Sequence, residues 1–273
     1  MPSSRYATDE YYRQLHDVMW QKKPGVIKKP LKASLATEEE IFEAYVHLGE
    51  AMRRGEHDSN EWPNLFVDRR LCQADFLDLM PIAADRSLDG YFQRVDGLLG
   101  DRHLQIHADH DSFQPHAMEL CLRVRDLLRP SWEKYGIPPA ASGISSFIGR
   151  YDRTAQGIHI AGIDTFLVVV RGKKRMVVWP RDAFRDRDGK PYEGLFIQLK
   201  TCNLEPYLDK ATVIEAEPGD IIYWPKEYWH IALGKTLAGP FTGLTVECWH
   251  SEGRLQGGTS LPAPRSDFLE GAK

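Results

Sequence analysis

Two histidines, His159 and His230, stand in settings that could hold a metal ion. His159 lies in GIHIAGIDTFLVVVRGKKR (residues 157–175), whose β-branched and aromatic run reads as strand. Residues two apart on a strand point the same way, so His159 and Ala161 face one compartment. His230 closes PGDIIYWPKEYWH (residues 218–230), far downstream, and a histidine on a remote strand can complete a site across a barrel. Two imidazoles plus a carboxylate on one face would leave positions free for exogenous ligands, the arrangement of non-heme iron sites.

Together these two blocks resemble the JmjC-like and related cupin-type oxygenases that use Fe(II) and 2-oxoglutarate. In that family a strand carries HxD, an apolar run, then GxK and WP, and a second motif closes with GDxxYxPxxWWH. The resemblance covers roughly residues 143–249. It implies a mainly β fold with α, a double-stranded β-helix of cupin or jelly-roll type with a helical N-terminal region. It also implies that His159 and His230 bind iron, that Lys174 grips the distal carboxylate of 2-oxoglutarate as a point charge, and that Thr165, Gln156 and Thr245 contact the co-substrate more weakly. Trp229 and Trp249 would wall the pocket.

The family's carboxylate position is occupied here by Ala161. Without the acid, iron keeps two neutral ligands and binds more weakly unless another anion fills the gap. Three readings compete. A halide such as chloride can take the space that the alanine methyl leaves, giving C–H halogenation of an amino acid, peptide or carrier-bound small molecule, and this reading is narrowly favoured. Alternatively a displaced acid serves an ordinary hydroxylase. Asp164 would qualify if a bulge at Gly162 turned it inward, and Glu247 would qualify because it stands in TVECW, where relatives carry TVNFW with an inward Asn. In the third reading the barrel is a non-catalytic binding module.

The elements needed to position these residues are legible in part. Thr37 and Glu40 match a capping box, and Ile41, Tyr45, Leu48 and Met52 recur at helical spacing up to Gly55. Further helical pieces are expected at 73–79 and 115–128, with Pro130 ending the latter. Beyond residue 140 the pattern changes to eight short strands near 143–151, 156–161, 165–171, 174–180, 211–216, 220–225, 229–234 and 241–249. Residues 181–210 form a long polar insertion. The expected division is a helical region at 1–140, a barrel at 141–253 and a tail at 254–273. His103, His107, His110 and His116 lie in HLQIHADHDSFQPH, which reads as a polar loop with no assigned role.

Composition bounds the partners. Lys and Arg number 35 against 39 Asp and Glu, a formal charge of −4, so no basic footprint for nucleic acid is expected. The four cysteines lack CxxC spacing and read as reduced thiols. No run approaches the length of a membrane span, and the N-terminus lacks the apolar core of a signal peptide. The expectation is a cytoplasmic enzyme with a small-molecule or peptide substrate, no nucleic acid, no membrane and a possible homodimer.

Overall fold

The structure is a computed structural model that describes residues 5–56, 63–72, 75–109, 118–135, 142–185, 188–190, 192–197, 204–233 and 239–248. The chain opens with α1 (Asp9–Arg13), capped by Thr8, which continues into a π-helical turn and then β1 (Gly25–Ile27). In α2 (Glu38–Arg53) the capping box forms as expected. Thr37 Oγ1 accepts from the Glu40 N–H at 3.1 Å, and the Glu40 carboxylate takes the Thr37 N–H at 2.8 Å. Its buried face contains Ile41, Tyr45, Leu48 and Met52, the positions picked out by helical spacing.

Next come β2 (Asn64–Val67), β3 (Arg70–Leu71), α3 (Phe76–Leu79), α4 (Leu88–Leu99), β4 (Leu104–Asp109) and α5 (Met118–Tyr135). Pro130 was expected to end its helix, yet α5 runs through it to Tyr135. A proline inside a helix costs a hydrogen bond and crowds the preceding turn. Here the turns on either side are anchored by buried Leu127, Leu128 and Trp132, so packing outweighs the local preference.

The eight expected strands all form: β5 (Ser142–Arg150), β6 (Ile158–His159), β7 (Asp164–Arg171), β8 (Lys174–Pro180), β10 (Thr212–Ala216), β11 (Ile221–Trp224), β12 (Tyr228–Leu233) and β13 (Phe241–Cys248), with a short β9 (Phe196–Ile197) inside the insertion. They pair antiparallel into an eight-stranded sheet, β1-β11-β7-β13-β5-β4-β2-β3, and a five-stranded sheet, β10-β8-β12-β6-β9. The two sheets face each other as a jelly roll, and four strands of the larger one precede residue 141.

Strand alternation sorts the side chains into three apolar layers. The outer face of the larger sheet, with Ile148, Phe166, Val168, Leu244 and Val246, packs under the helices. Between the sheets lie Leu167, Met176, Val178, Ile222 and Ala232. On the far side of the smaller sheet, Val177, Trp179, Trp229 and Ile231 meet Phe184 and Leu208 of the 181–210 insertion. That insertion is therefore a cover for the smaller sheet. Helix α2 is fastened to the larger sheet by Tyr45, whose hydroxyl donates to the Ser146 carbonyl at 3.0 Å.

Candidate metal centre

His159 and His230 are direct register partners on β6 and β12, and their rings meet with centroids 4.1 Å apart. Each Nδ1 lies against the carbonyl two residues back, Gly157 at 3.0 Å and Tyr228 at 3.3 Å. A carbonyl only accepts, so both Nδ1 atoms carry the proton and both Nε2 lone pairs remain for a ligand. Burial lowers the pKa of each ring, and for His230 the neighbouring His159 adds to the effect. Two neutral, oriented imidazole nitrogens in one place are a donor set suited to a divalent transition metal.

Ala161, two residues beyond the end of β6, lines the same cavity, while Ile158 and Ile160 turn to the opposite layer. The cavity lies between the sheets and opens to solvent. Across from the histidines, Trp224, Thr165 and Glu247 stand side by side on β11, β7 and β13. The Trp224 ring lies 4.9 Å from that of His230, which puts this row at the metal end.

Lys174 marks the other end. Arg171 and Arg175 of the same basic run turn outward to Glu38, Asp89 and Glu215, whereas Lys174 points in and is 5 % exposed. Its ammonium meets the Tyr151 hydroxyl and lies 4.0 Å from the centre of the Phe241 ring. Among the described residues no carboxylate pairs with it, and burial lowers its pKa to about 7. A buried ammonium without a counter-ion is a receptor for an anion. Along β8, Lys174 is four residues from Val178, which faces His230 across the ladder. That separation is roughly 13 Å of strand; the lysine stem spans part of it and leaves room for a five-carbon dicarboxylate.

The expected co-substrate contacts Thr165, Gln156 and Thr245 all line the cavity. Gln105 donates to Gln156 Oε1 at 3.1 Å, which leaves the Gln156 amide NH2 available. Among the described residues, three buried polar atoms that line the cavity lack a hydrogen-bond partner: His107 Nε2, Trp224 Nε1 and Thr245 Oγ1. Each is a hydrogen-bonding group that a ligand in the cavity can satisfy.

Two expectations need correction. Asp164 does not reach the site. Gly162 adopts a positive φ of 70°, but β7 still starts with Asp164 on the helix-facing side, where it accepts a 2.6 Å hydrogen bond from Tyr223. Trp229 does not wall the pocket either. It neighbours His230 on a strand and so points oppositely, donating to the Arg181 carbonyl at 3.1 Å and packing edge-on to Phe184. Trp249 lies outside the described residues, as do His110 and His116. Glu247 faces the cavity, and burial, reinforced by Asp109, pushes its carboxyl up to about 8. Among the described residues, no three His, Cys, Asp or Glu side chains converge closely enough to hold an ion.

Sequence reasoning missed Trp224, Phe147, Tyr151 and His107. The last was assigned to a loop, but LQIHAD is strand β4, with Leu104, Ile106 and Ala108 in the core and His107 lining the cavity. Its period-two alternation was the available signal.

Neither a protein-family model nor a curated protein sequence matches the chain. Solved structures do. E. coli ycfD superposes with a TM-score of 0.51 at 16% identity, over 92% of this chain and 56% of that one. A second structure, of E. coli ribosomal oxygenase YcfD, gives 0.49 at 16% identity over 93% and 55%. A third, YcfD in complex with cobalt and 2-oxoglutarate, gives 0.48 at 15% identity over 92% and 54%. The chain thus spans about half the length of the solved structures it matches. The expectation of a small-molecule or peptide substrate with no nucleic acid is corrected here: the chain shares the fold of E. coli ycfD, and the protein of that name is called a ribosomal oxygenase. A net charge of −4 could not decide the point, since it sums over the whole surface. Among the described residues no helix is long and apolar enough to cross a membrane. With its two facing sheets and paired histidines, the chain has the double-stranded β-helix fold of E. coli YcfD.

Proposed function

We propose that the chain is an Fe(II)- and 2-oxoglutarate-dependent oxygenase. The observation that carries this reading is one cavity holding two oriented imidazole Nε2 atoms at one end and the buried, acid-free Lys174 ammonium at the other. His159 and His230 would hold the metal, and Lys174 the distal carboxylate, with Thr165, Gln156 and Thr245 offering hydrogen bonds between them. Trp224 stands beside His230 at the metal end. When bound, iron and 2-oxoglutarate supply oxygen activation, the keto acid leaving as succinate and carbon dioxide.

Ala161 gives the site its particular character. Its methyl group offers no charge, so an external anion such as chloride would complete the coordination, and C–H halogenation is the outcome this favours. A second reading is supported by Glu247, which faces the same cavity: a shift of its side chain would supply a displaced carboxylate and make the enzyme a hydroxylase. The name of YcfD favours a macromolecular, ribosome-related substrate in the cytoplasm.

An anaerobic titration of Fe(II) and 2-oxoglutarate, followed by the metal-to-ligand absorption band, tests both. A band that requires chloride supports the halide reading. One indifferent to chloride but lost in Glu247→Gln supports the hydroxylase, and absence of any band sinks the proposal. Ala161→Asp is expected to tighten Fe(II) by roughly tenfold or more, the worth of a charge-assisted interaction of about 1.5–3 kcal/mol. It should also abolish chloride dependence. Unchanged halogenation in that variant would contradict the role given to Ala161.

A further inference from the structure

His107 has no part in the assignments above, yet it lines the same cavity. It lies on β4 in register with Phe147, and the two rings stack with centroids 4.2 Å apart and planes inclined by 22°. The residue is 7 % exposed, and among the described residues its Nε2 has no hydrogen-bond partner. Leaving a buried nitrogen unbonded is costly, and the stack on Phe147 holds the ring in place. The same Phe147 ring lies 5.9 Å from the Lys174 ammonium, and the charge of His107 is felt at His159, so His107 stands between the two ends of the cavity. Gln156, with its free amide NH2, lines the cavity too. As placed, His107 is not a third ligand for the ion, because no three such side chains converge among the described residues.

We infer that His107 is a co-substrate-contacting residue whose Nε2–H donates to a carboxylate oxygen of 2-oxoglutarate bound between Lys174 and the histidine pair. A neutral imidazole can carry its proton on Nε2, and a hydrogen bond to a carboxylate is among the stronger kinds. The inference rests on the proposed function, and the experiment separates the two.

The test uses the full chain loaded with Zn(II), which is redox-inert and diamagnetic. Calorimetric titration with 2-oxoglutarate compares wild type, His107→Phe, which keeps the stack and loses both nitrogens, and His107→Gln, which keeps a donor. The expected result is about tenfold or weaker 2-oxoglutarate binding in His107→Phe, as loss of a hydrogen bond to a charged group predicts. Zn(II) affinity should be unchanged, and His107→Gln should recover most of the loss. Equal 2-oxoglutarate affinity in wild type and His107→Phe overturns the inference. So does a parallel loss of Zn(II) affinity, which would make His107 a metal ligand. So does failure of His107→Gln to recover any binding, which would make its role structural. Should His107→Phe not fold, ring nitrogen resonances of the wild-type protein decide: a His107 signal that stays put on adding 2-oxoglutarate rejects the contact, and one that shifts supports it. Wild type that binds neither Zn(II) nor 2-oxoglutarate removes the proposed function and this inference with it, whereas wild-type binding with an indifferent His107 removes the inference alone.

Discussion

Replacing Lys174 with methionine is expected to raise the dissociation constant for 2-oxoglutarate by roughly 10- to 100-fold, the loss of one charge-assisted interaction of about 1.5–3 kcal/mol. Methionine fills the buried volume, so the barrel should survive. Lys174 also makes the binding pH-dependent. Its pKa of about 7 in the free protein means that above that pH the ammonium must regain a proton before it can hold a carboxylate. Affinity for the dianion should therefore fall as pH rises beyond about 7, and Lys174→Met should flatten the profile. Stability moves the opposite way. Between about 7 and the ordinary lysine value of 10.5 the unfolded chain holds the proton that the folded one has released, so the ligand-free protein should become more stable as pH rises through that window. Isothermal titration across pH, with thermal unfolding of the same samples, reads both trends. A 2-oxoglutarate affinity insensitive to Lys174→Met would remove the anion receptor from the site.

The second large effect is expected at His230. Loss of even an outer partner of a metal ligand costs roughly 10- to 100-fold in affinity, and His230→Ala should exceed this because it removes one of the two oriented nitrogens. Equilibrium dialysis against Co(II) measures it directly. The same substitution should improve the metal-free protein at acid pH. Both rings titrate below the usual 6.5 in the folded state, so the unfolded chain takes up protons first as pH falls and native stability declines below that value. Deleting one ring removes its share of the decline and relieves the other of a like-charged neighbour. A variant that keeps Co(II) affinity would show that the facing rings are a packing feature.

The β-rich half was legible because its signals are local. The β-branched runs punctuated by glycine, the HxA spacing and the distant GD motif led to strands, to facing histidines and to an inward Lys174. Alternation also explains the errors. Trp229 follows the same rule as His230 one residue earlier, so reading both as pocket residues contradicted the strand that carried them. Asp164 depended on whether Gly162 would shift the register, which only the pairing of Asp164 with Cys248, a core residue, could decide. His107 was obscured by polar neighbours, and its pairing with β5 is a contact across the chain that no short window reveals. Helix α2 was readable from its cap and spacing, whereas α5 outlasted Pro130 through burial that the local sequence does not announce.

The interleaving of the larger sheet bears on how the molecule can be divided. Strand β4 is flanked by β2 on one side and β5 on the other, so the helical first half and the barrel share a continuous ladder of backbone hydrogen bonds. Cutting the chain near residue 140 would strip β5 of a neighbour and turn its nine residues into a raw sheet margin, open to pairing with another molecule. A barrel expressed alone from residue 141 should therefore self-associate, and co-expression of the missing half should restore a dispersed species. The halves are better understood as one cooperative weave than as a scaffold with an attachment.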